Sequence, residues 1–167
     1  HRRRRVRLVV AGLPLDHVNA HKHFHLHPTI AGTILKIGKR YGMRAARAPI
    51  EPRRLLAQVD GTDTDPRIET VWARLVRARL RRAGMLVPDQ VFGLAWSGAM
   101  TADRMRGILE RLPDGLTEIY THPATSAYPG SAPGYDYRGE LAALTDPLAK
   151  TILTRERVAL GHFADFA

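Results

Sequence analysis

Four histidines occupy alternate positions in the run His17-Val18-Asn19-Ala20-His21-Lys22-His23-Phe24-His25-Leu26-His27-Pro28. Neutral imidazole is a common ligand for zinc, nickel and iron, and it exchanges protons near neutral pH. In an extended chain successive side chains point to opposite faces. His21, His23, His25 and His27 would then share one face, with Lys22, Phe24 and Leu26 on the other. Alternate residues on a strand diverge too far for all four rings to serve one ion. The expectation is that one or two bind a metal and the others orient ligands or substrate. The competing reading is a nonspecific metal-binding run.

Two further residues stand where chemistry is often placed. His122 follows the apolar segment 116–120 and opens a long loop, a position suited to a general acid or base at the C-terminal end of a strand. It could equally cap a turn before Pro123. Arg47, at the end of the segment 43–48, could pair with a catalytic carboxylate and hold it ionised, or could be a surface arginine. Tyr128, Tyr135 and Tyr137 lie in the Gly- and Pro-containing loop 124–137, where aromatic rings can stack on a ligand or simply pack the loop.

The elements that must position these residues can be sketched from pattern. Periodicity alone leaves residues 2–11 as helix or strand, and Gly12 followed by Pro14 suits a helix end. Residues 15–27 read as a strand running into a loop. Pro28 can open a helix, because its missing N–H costs nothing there. That helix carries Ile30, Ile34, Leu35 and Ile37 at helical spacing and closes at Gly42. Residues 43–48 suit a short strand stopped by Pro49. Residues 50–65 read as loop, with the acids of 60–65 capping the next helix. That helix, 67–83, places Ile68, Val71, Trp72, Leu75, Val76 and Leu80 on one side. Arg67, Arg74, Arg77 and Arg81 lie on the other, and Gly84 ends it. Strands are expected at 90–95, 116–121 and 158–162. Helices are expected from a Thr101 cap through 112, and over 138–154, with a turn at Pro113-Asp114-Gly115.

Alternating strands and helices predict parallel βαβ units. Five strands fit an open doubly wound sheet or part of a (β/α) barrel, which in full needs about 250 residues. No GxGxxG or Walker A motif supports nucleotide binding. The 167 residues are one domain by length, and 44% apolar content supports a folded core. The absence of cysteine excludes disulfides and cysteine-ligated metal. No apolar run could span a bilayer, and the opening His1-Arg2-Arg3-Arg4-Arg5 lacks the apolar stretch of a secretory leader. A cytoplasmic protein is expected. A net charge of +10 favours anionic partners, or reflects solvated arginines on helix faces.

The histidine run resembles the His-x-His-x-His signature of YdjC-like carbohydrate deacetylases. Residues 17–32 are similar to the hopanoid-biosynthesis-associated branch, HpnK. So are Phe92-Gly93-Leu94-Ala95-Trp96-Ser97-Gly98-Ala99-Met100-Thr101 and Glu118-Ile119-Tyr120-Thr121-His122-Pro123-Ala124. The likeness extends over nearly the whole chain, as one domain matching the C-terminal half or so of a family member. It implies an α/β fold that is part of a distorted (β/α) TIM-like barrel of the polysaccharide-deacetylase kind. It further implies removal of acetyl groups from N-acetylated amino sugars with a divalent metal (Mg or Zn) held by one Asp and two His.

By that matching His21 is a metal ligand, His122 the general acid and Arg47 the residue that orients the catalytic carboxylate. His23, His25 and Asn19 support the ligands or touch substrate, Asn19 standing where many relatives carry Asp. The expected substrate is an N-acetylglucosaminyl hopanoid. The family's Thr-x-Asp-Asp-Phe-Gly strand and Gly-x-His segment are not in this sequence, so the 167 residues alone are expected to be inactive. An incomplete barrel would expose strand edges and favour homo-oligomers. The alternatives are a non-catalytic relative and a basic binding module. Nucleic acid is not expected, since RNP and zinc-finger patterns are absent. Peripheral contact with the inner membrane face is compatible with a lipid-linked substrate.

Overall fold

A computed structural model describes residues 15–62 and 68–167, with the backbone alone for His21 and residues 68–70. The segment 2–11, read as helix or strand, and the acids Asp63 and Asp65 lie outside the described residues. The fold is mixed α/β and divides into two compact units. The first draws on residues up to 50, 66–88 and 161–167; the second on 51–65 and 89–160.

In the first unit, strand β1 (His17–Val18) pairs in parallel with β2 (Ala45–Ala46), and Ala45 bridges in parallel to Leu86. Helix α1 (Pro28–Arg40) makes the crossover from β1 to β2. It starts at Pro28 as expected, and Gly42 at φ +74° turns the chain out of it. Helix α3 (Ile68–Arg82) lies on the same core, where Ala31, Ile34, Met43, Val76, Leu80 and Val87 pack together. Arg79 Nη1 donates to the carbonyl of Pro28 at 2.9 Å and ties α3 to the start of α1.

The expected apolar side of α3 is only half right. Ala73, Val76 and Leu80 are buried, but Val71, Trp72 and Leu75 are 56%, 44% and 57% exposed. Successive residues are 100° apart, so a stripe that includes 71, 72, 75, 76 and 80 is too wide for one contact. The core takes only its 73–76–80 edge.

In the second unit, β3 (Gln90–Phe92) pairs in parallel with β4 (Thr117–Ile119), Phe92 opposite Ile119. Helix α4 (Ala102–Leu109) makes the crossover. Thr101 caps it as expected, its hydroxyl accepting from the Arg104 N–H at 3.2 Å. Helix α2 (Arg53–Asp60), α5 (Tyr137–Leu144) and α6 (Pro147–Arg155) pack against α4. Their core contains Leu56, Phe92, Met100 and Ile108, all 1% exposed or less. Fully burying each such side chain stabilises the fold by about 2–3 kcal/mol.

Several expectations need correction. Residues 53–60 are helix, not loop: Leu55, Leu56 and Val59 recur at helical spacing and bury against α4, while Gly61 at φ +74° closes the helix. Asp60 therefore ends α2 and does not cap α3. The single helix over 138–154 is two, because Asp146 caps a new start through the Leu148 N–H (3.1 Å) and Pro147 follows at its first position. Residues 158–162 are not a strand; they lead into the short helix α7 (Phe163–Phe166). The strand expected from 15 to 27 is real only at β1. Among the described residues no helix is long and apolar enough to cross a membrane.

Candidate functional site

The residues singled out by type fall at the C-terminal ends of parallel strands, where α/β folds carry their chemistry. They do so in each unit separately.

In the first unit the chain leaves β1 through exposed Asn19 and enters a 3-10 segment, His21–Leu26. Lys22 and His23 there have φ of +46° and +56°, so the run is coiled and not extended. The shared face of four histidines does not form. His27 is exposed at the start of α1, and Phe24 is 62% exposed. His23 and His25 turn inward instead, their ring centroids 6.0 Å apart. His25 is 2% exposed and its Nε2 donates to the Arg47 carbonyl at 2.8 Å.

Arg47 itself is buried, 8% exposed, with its N–H donating to the Val18 carbonyl at 3.0 Å. The surface-arginine reading is thereby set aside. Burial, then the neighbouring His25 ring and the Arg47 guanidinium, pushes the His23 pKa down to about 4. His23 is thus neutral near pH 7. His17 stands apart from this group, stacked on Phe163 at 4.3 Å and bonded to Asp16. The structure brings His23, His25 and Arg47 together. The side chain of His21 lies outside the described residues.

In the second unit β3 leads into the motif 92–101, which forms a wall. Glu51 holds its first turn: Gly93 and Leu94 donate backbone N–H groups to Oε1 at 2.8 and 3.0 Å, and Ala95 to Oε2 at 2.9 Å. Gly93, at φ +112°, lies so close to the Tyr120 carbonyl that a Cβ would collide with it. Trp96 is buried and donates through Nε1 to the Thr62 hydroxyl at 3.0 Å. Gly98, at φ +77°, lies under the Tyr135 ring, and the hydroxyls of Ser97 and Tyr135 are 2.8 Å apart.

His122 follows β4 and faces this wall. Its ring meets Tyr120 at 5.7 Å and Tyr135 at 5.0 Å, edge-on to both. Behind it lies Glu140 of α5, 1% exposed. Glu140 Oε1 accepts from the Met100 N–H at 3.2 Å, and Oε2 accepts from the His122 N–H. The same Oε2 is 3.7 Å from His122 Nδ1, which is itself buried. The side chain of His122 remains 39% exposed, so the solvent-facing edge carries Nε2. This arrangement can deliver or accept a proton at Nε2.

Sequence reasoning missed Glu140 and Glu51. The signal for Glu140 was its place on the buried stripe of α5, between Tyr137 and Ala143 at three-residue spacing. A carboxylate on an apolar stripe needs partners, and partners imply a site. Glu51 gave no such signal, because it sits between β2 and α2 in a proline-flanked segment without regular structure.

Among the described residues no three His, Asp or Glu side chains come together to hold a metal ion.

The YdjC-like protein family matches residues 6–155, and the chain belongs to it. It is 24% identical over 163 residues to a protein of Brevibacillus brevis (strain 47) named carbohydrate deacetylase, covering 95% of this chain and 56% of that protein. A crystal structure of an Enterococcus faecalis V583 protein, provisionally named for cellobiose-phosphate cleavage, superposes with a TM-score of 0.66 at 17% identity. That match covers 97% of this chain and 57% of the other. The chain therefore spans little more than half the length of either relative.

Proposed function

We propose that the chain is part of a carbohydrate N-deacetylase, and that His122 is its general acid. The observation that carries this is the Glu140-backed imidazole of His122 at the end of β4, open to solvent at its Nε2 edge. The carbohydrate deacetylase name of the Brevibacillus relative supports the substrate class. In amide hydrolysis a water adds to the acetyl carbonyl and the tetrahedral adduct must expel an amine. Protonated His122 would give its Nε2 proton to that nitrogen as the C–N bond breaks, leaving acetate and a free amino sugar. Proton delivery of this kind is worth about 10²–10⁴ in rate.

The rest of the machinery is proposed with less of it on this chain. The base that activates water would come from residues outside these 167, as would most ligands of a divalent metal (Mg or Zn). His21 remains the candidate ligand here, with His23, His25 and Asn19 near it in sequence. Such a metal would polarise the acetyl carbonyl. Arg47, buried beside His23 and His25, would hold a carboxylate ionised if the longer protein brings one to it. The parallel ladders and their helical crossovers support part of a distorted (β/α) barrel. A cytoplasmic enzyme of the hopanoid branch, acting on an N-acetylglucosaminyl hopanoid, remains the finer reading. Exposed Val71, Trp72 and Leu75, with Arg74 and Arg82 on the same helix, suit peripheral contact with an anionic bilayer carrying that substrate. Self-association through the same apolar residues is the alternative use of that face.

Acetate release from an N-acetylglucosaminyl lipid and from N-acetylglucosamine oligomers, by the full-length protein, tests the reading. Release that His122→Ala reduces at least a hundredfold is the expected result. Turnover undiminished in that variant overturns it.

A further inference from the structure

We propose that Glu140 is a positioning residue for His122. It holds the ring with its proton on Nδ1, so that Nε2 is the atom that exchanges protons with substrate. This rests on the general-acid reading of His122 and specifies its atom.

Three observations converge. Glu140 is 1% exposed, and a buried carboxylate is costly unless it is bonded. Its two oxygens are fixed by two backbone donors, Met100 N–H on Oε1 and His122 N–H on Oε2. Those donors come from the end of the motif wall and from the loop after β4, so the carboxylate cannot drift from the imidazole it serves. Third, Oε2 lies 3.7 Å from the buried Nδ1 of His122, the ring nitrogen turned away from solvent. An Nδ1–H facing that oxygen is stabilised by its charge, whereas a bare Nδ1 lone pair facing it is repelled.

Tyr120 and Tyr135 flank the ring edge-on and restrict its rotation. The neutral ring therefore rests with Nδ1–H inward and the Nε2 lone pair outward. On protonation the new N–H is on Nε2. During collapse of the tetrahedral adduct that proton passes to the leaving nitrogen, which keeps the electron pair of the broken C–N bond. The Nε2–H electron pair returns to Nε2, and the ring is left again as the Nδ1–H form.

A purely structural role for Glu140 would satisfy the two backbone donors and leave the tautomer alone. The test is long-range proton–nitrogen NMR of the histidine-labelled full-length protein at a pH where His122 is neutral. The expected spectrum of the unsubstituted protein shows His122 mainly as the Nδ1–H tautomer. Glu140→Gln should shift it toward Nε2–H and lower kcat about tenfold or more with KM little changed. Glu140→Asp should restore part of the Nδ1–H population.

Predominance of Nε2–H in the unsubstituted protein overturns the proposal, without recourse to any variant. So does a folded Glu140→Gln protein whose tautomer is unmoved. The tautomer is read without substrate. An Nδ1–H ring in a protein that releases no acetate would leave the positioning intact and sink the deacetylase reading instead.

Discussion

The two histidine regions of this protein are built on opposite principles. Around His23 and His25 the neighbours are another imidazole, a buried guanidinium and a backbone carbonyl, and His23 is kept neutral. Around His122 the neighbour is a carboxylate, and one ring edge is left in solvent. A ring held neutral by burial beside a guanidinium suits donation of a lone pair or a fixed hydrogen bond. A ring backed by a carboxylate suits gain and loss of a proton. Histidine content alone would favour the first region as the reactive one; the proposed function instead gives proton transfer to the second.

Substitutions at the two rings should therefore fail in different ways. The largest effect expected is on catalysis: His122→Ala should lower kcat by about 10²–10⁴ and move the unfolding midpoint little, because its ring is partly in solvent. His25→Ala should do the reverse. It opens a cavity at a site 2% exposed and strands the Arg47 carbonyl, costing about 3 kcal/mol in a denaturant titration. Equal loss of stability in both variants would erase the distinction between the regions.

A smaller effect sharpens the second region. Gly98→Ala should push the Tyr135 ring off its place beside His122, as a Cβ there overlaps that ring and the φ of +77° is unfavourable for alanine. About 1 kcal/mol of stability and about tenfold in kcat are expected to go together. Tyr135→Phe, which removes only the hydroxyl beside Ser97, should keep most of the activity.

What the sequence made legible follows from the range of the forces involved. Both ends of α1, the stop of α3 and the start of α4 were readable because Pro28, Gly42, Gly84 and Thr101 act on their own backbone. His122 was readable because it ends an apolar segment. The coil of His21–Leu26 was not, since alternation of His with Lys, Phe and Leu looks the same in a strand. Its inward turn depends on His25 finding the Arg47 carbonyl, 22 residues away. α2 was hidden because two turns between prolines carry too few apolar residues to outweigh the loop signals, until Leu55 and Leu56 meet α4. Residues 158–162 offered a short apolar run, but only Val158 is a β-prone type and no strand pairs with them among the described residues. Glu140 was legible only as an oddity, and its meaning came from Met100 and His122, which no local pattern connects to it.

The least effect concerns what braces the wall beside His122. Arg104 Nε donates to Asp60 Oδ2 at 2.7 Å, and its guanidinium lies over the Trp96 ring at 5.1 Å. Desolvation raises the Asp60 pKa, but hydrogen bonds from Thr62 and Arg104 together outweigh it and hold the carboxyl below its ordinary value. The folded state then binds fewer protons than the unfolded one, so this contribution is present above the unfolded pKa. It fades as pH falls through the lower folded value. For a pair this open to solvent the contribution is a few tenths of a kcal/mol to about 1. Asp60→Asn should therefore be slightly less stable than the parent at pH 7 and approach it as acid protonates the lowered carboxyl, with high salt narrowing the gap at neutral pH. A gap that widens on acidification would mean that the bridge is not what steadies Trp96. The bracing of the His122 region would then rest on the Thr62 hydroxyl and the Glu51 carboxylate alone.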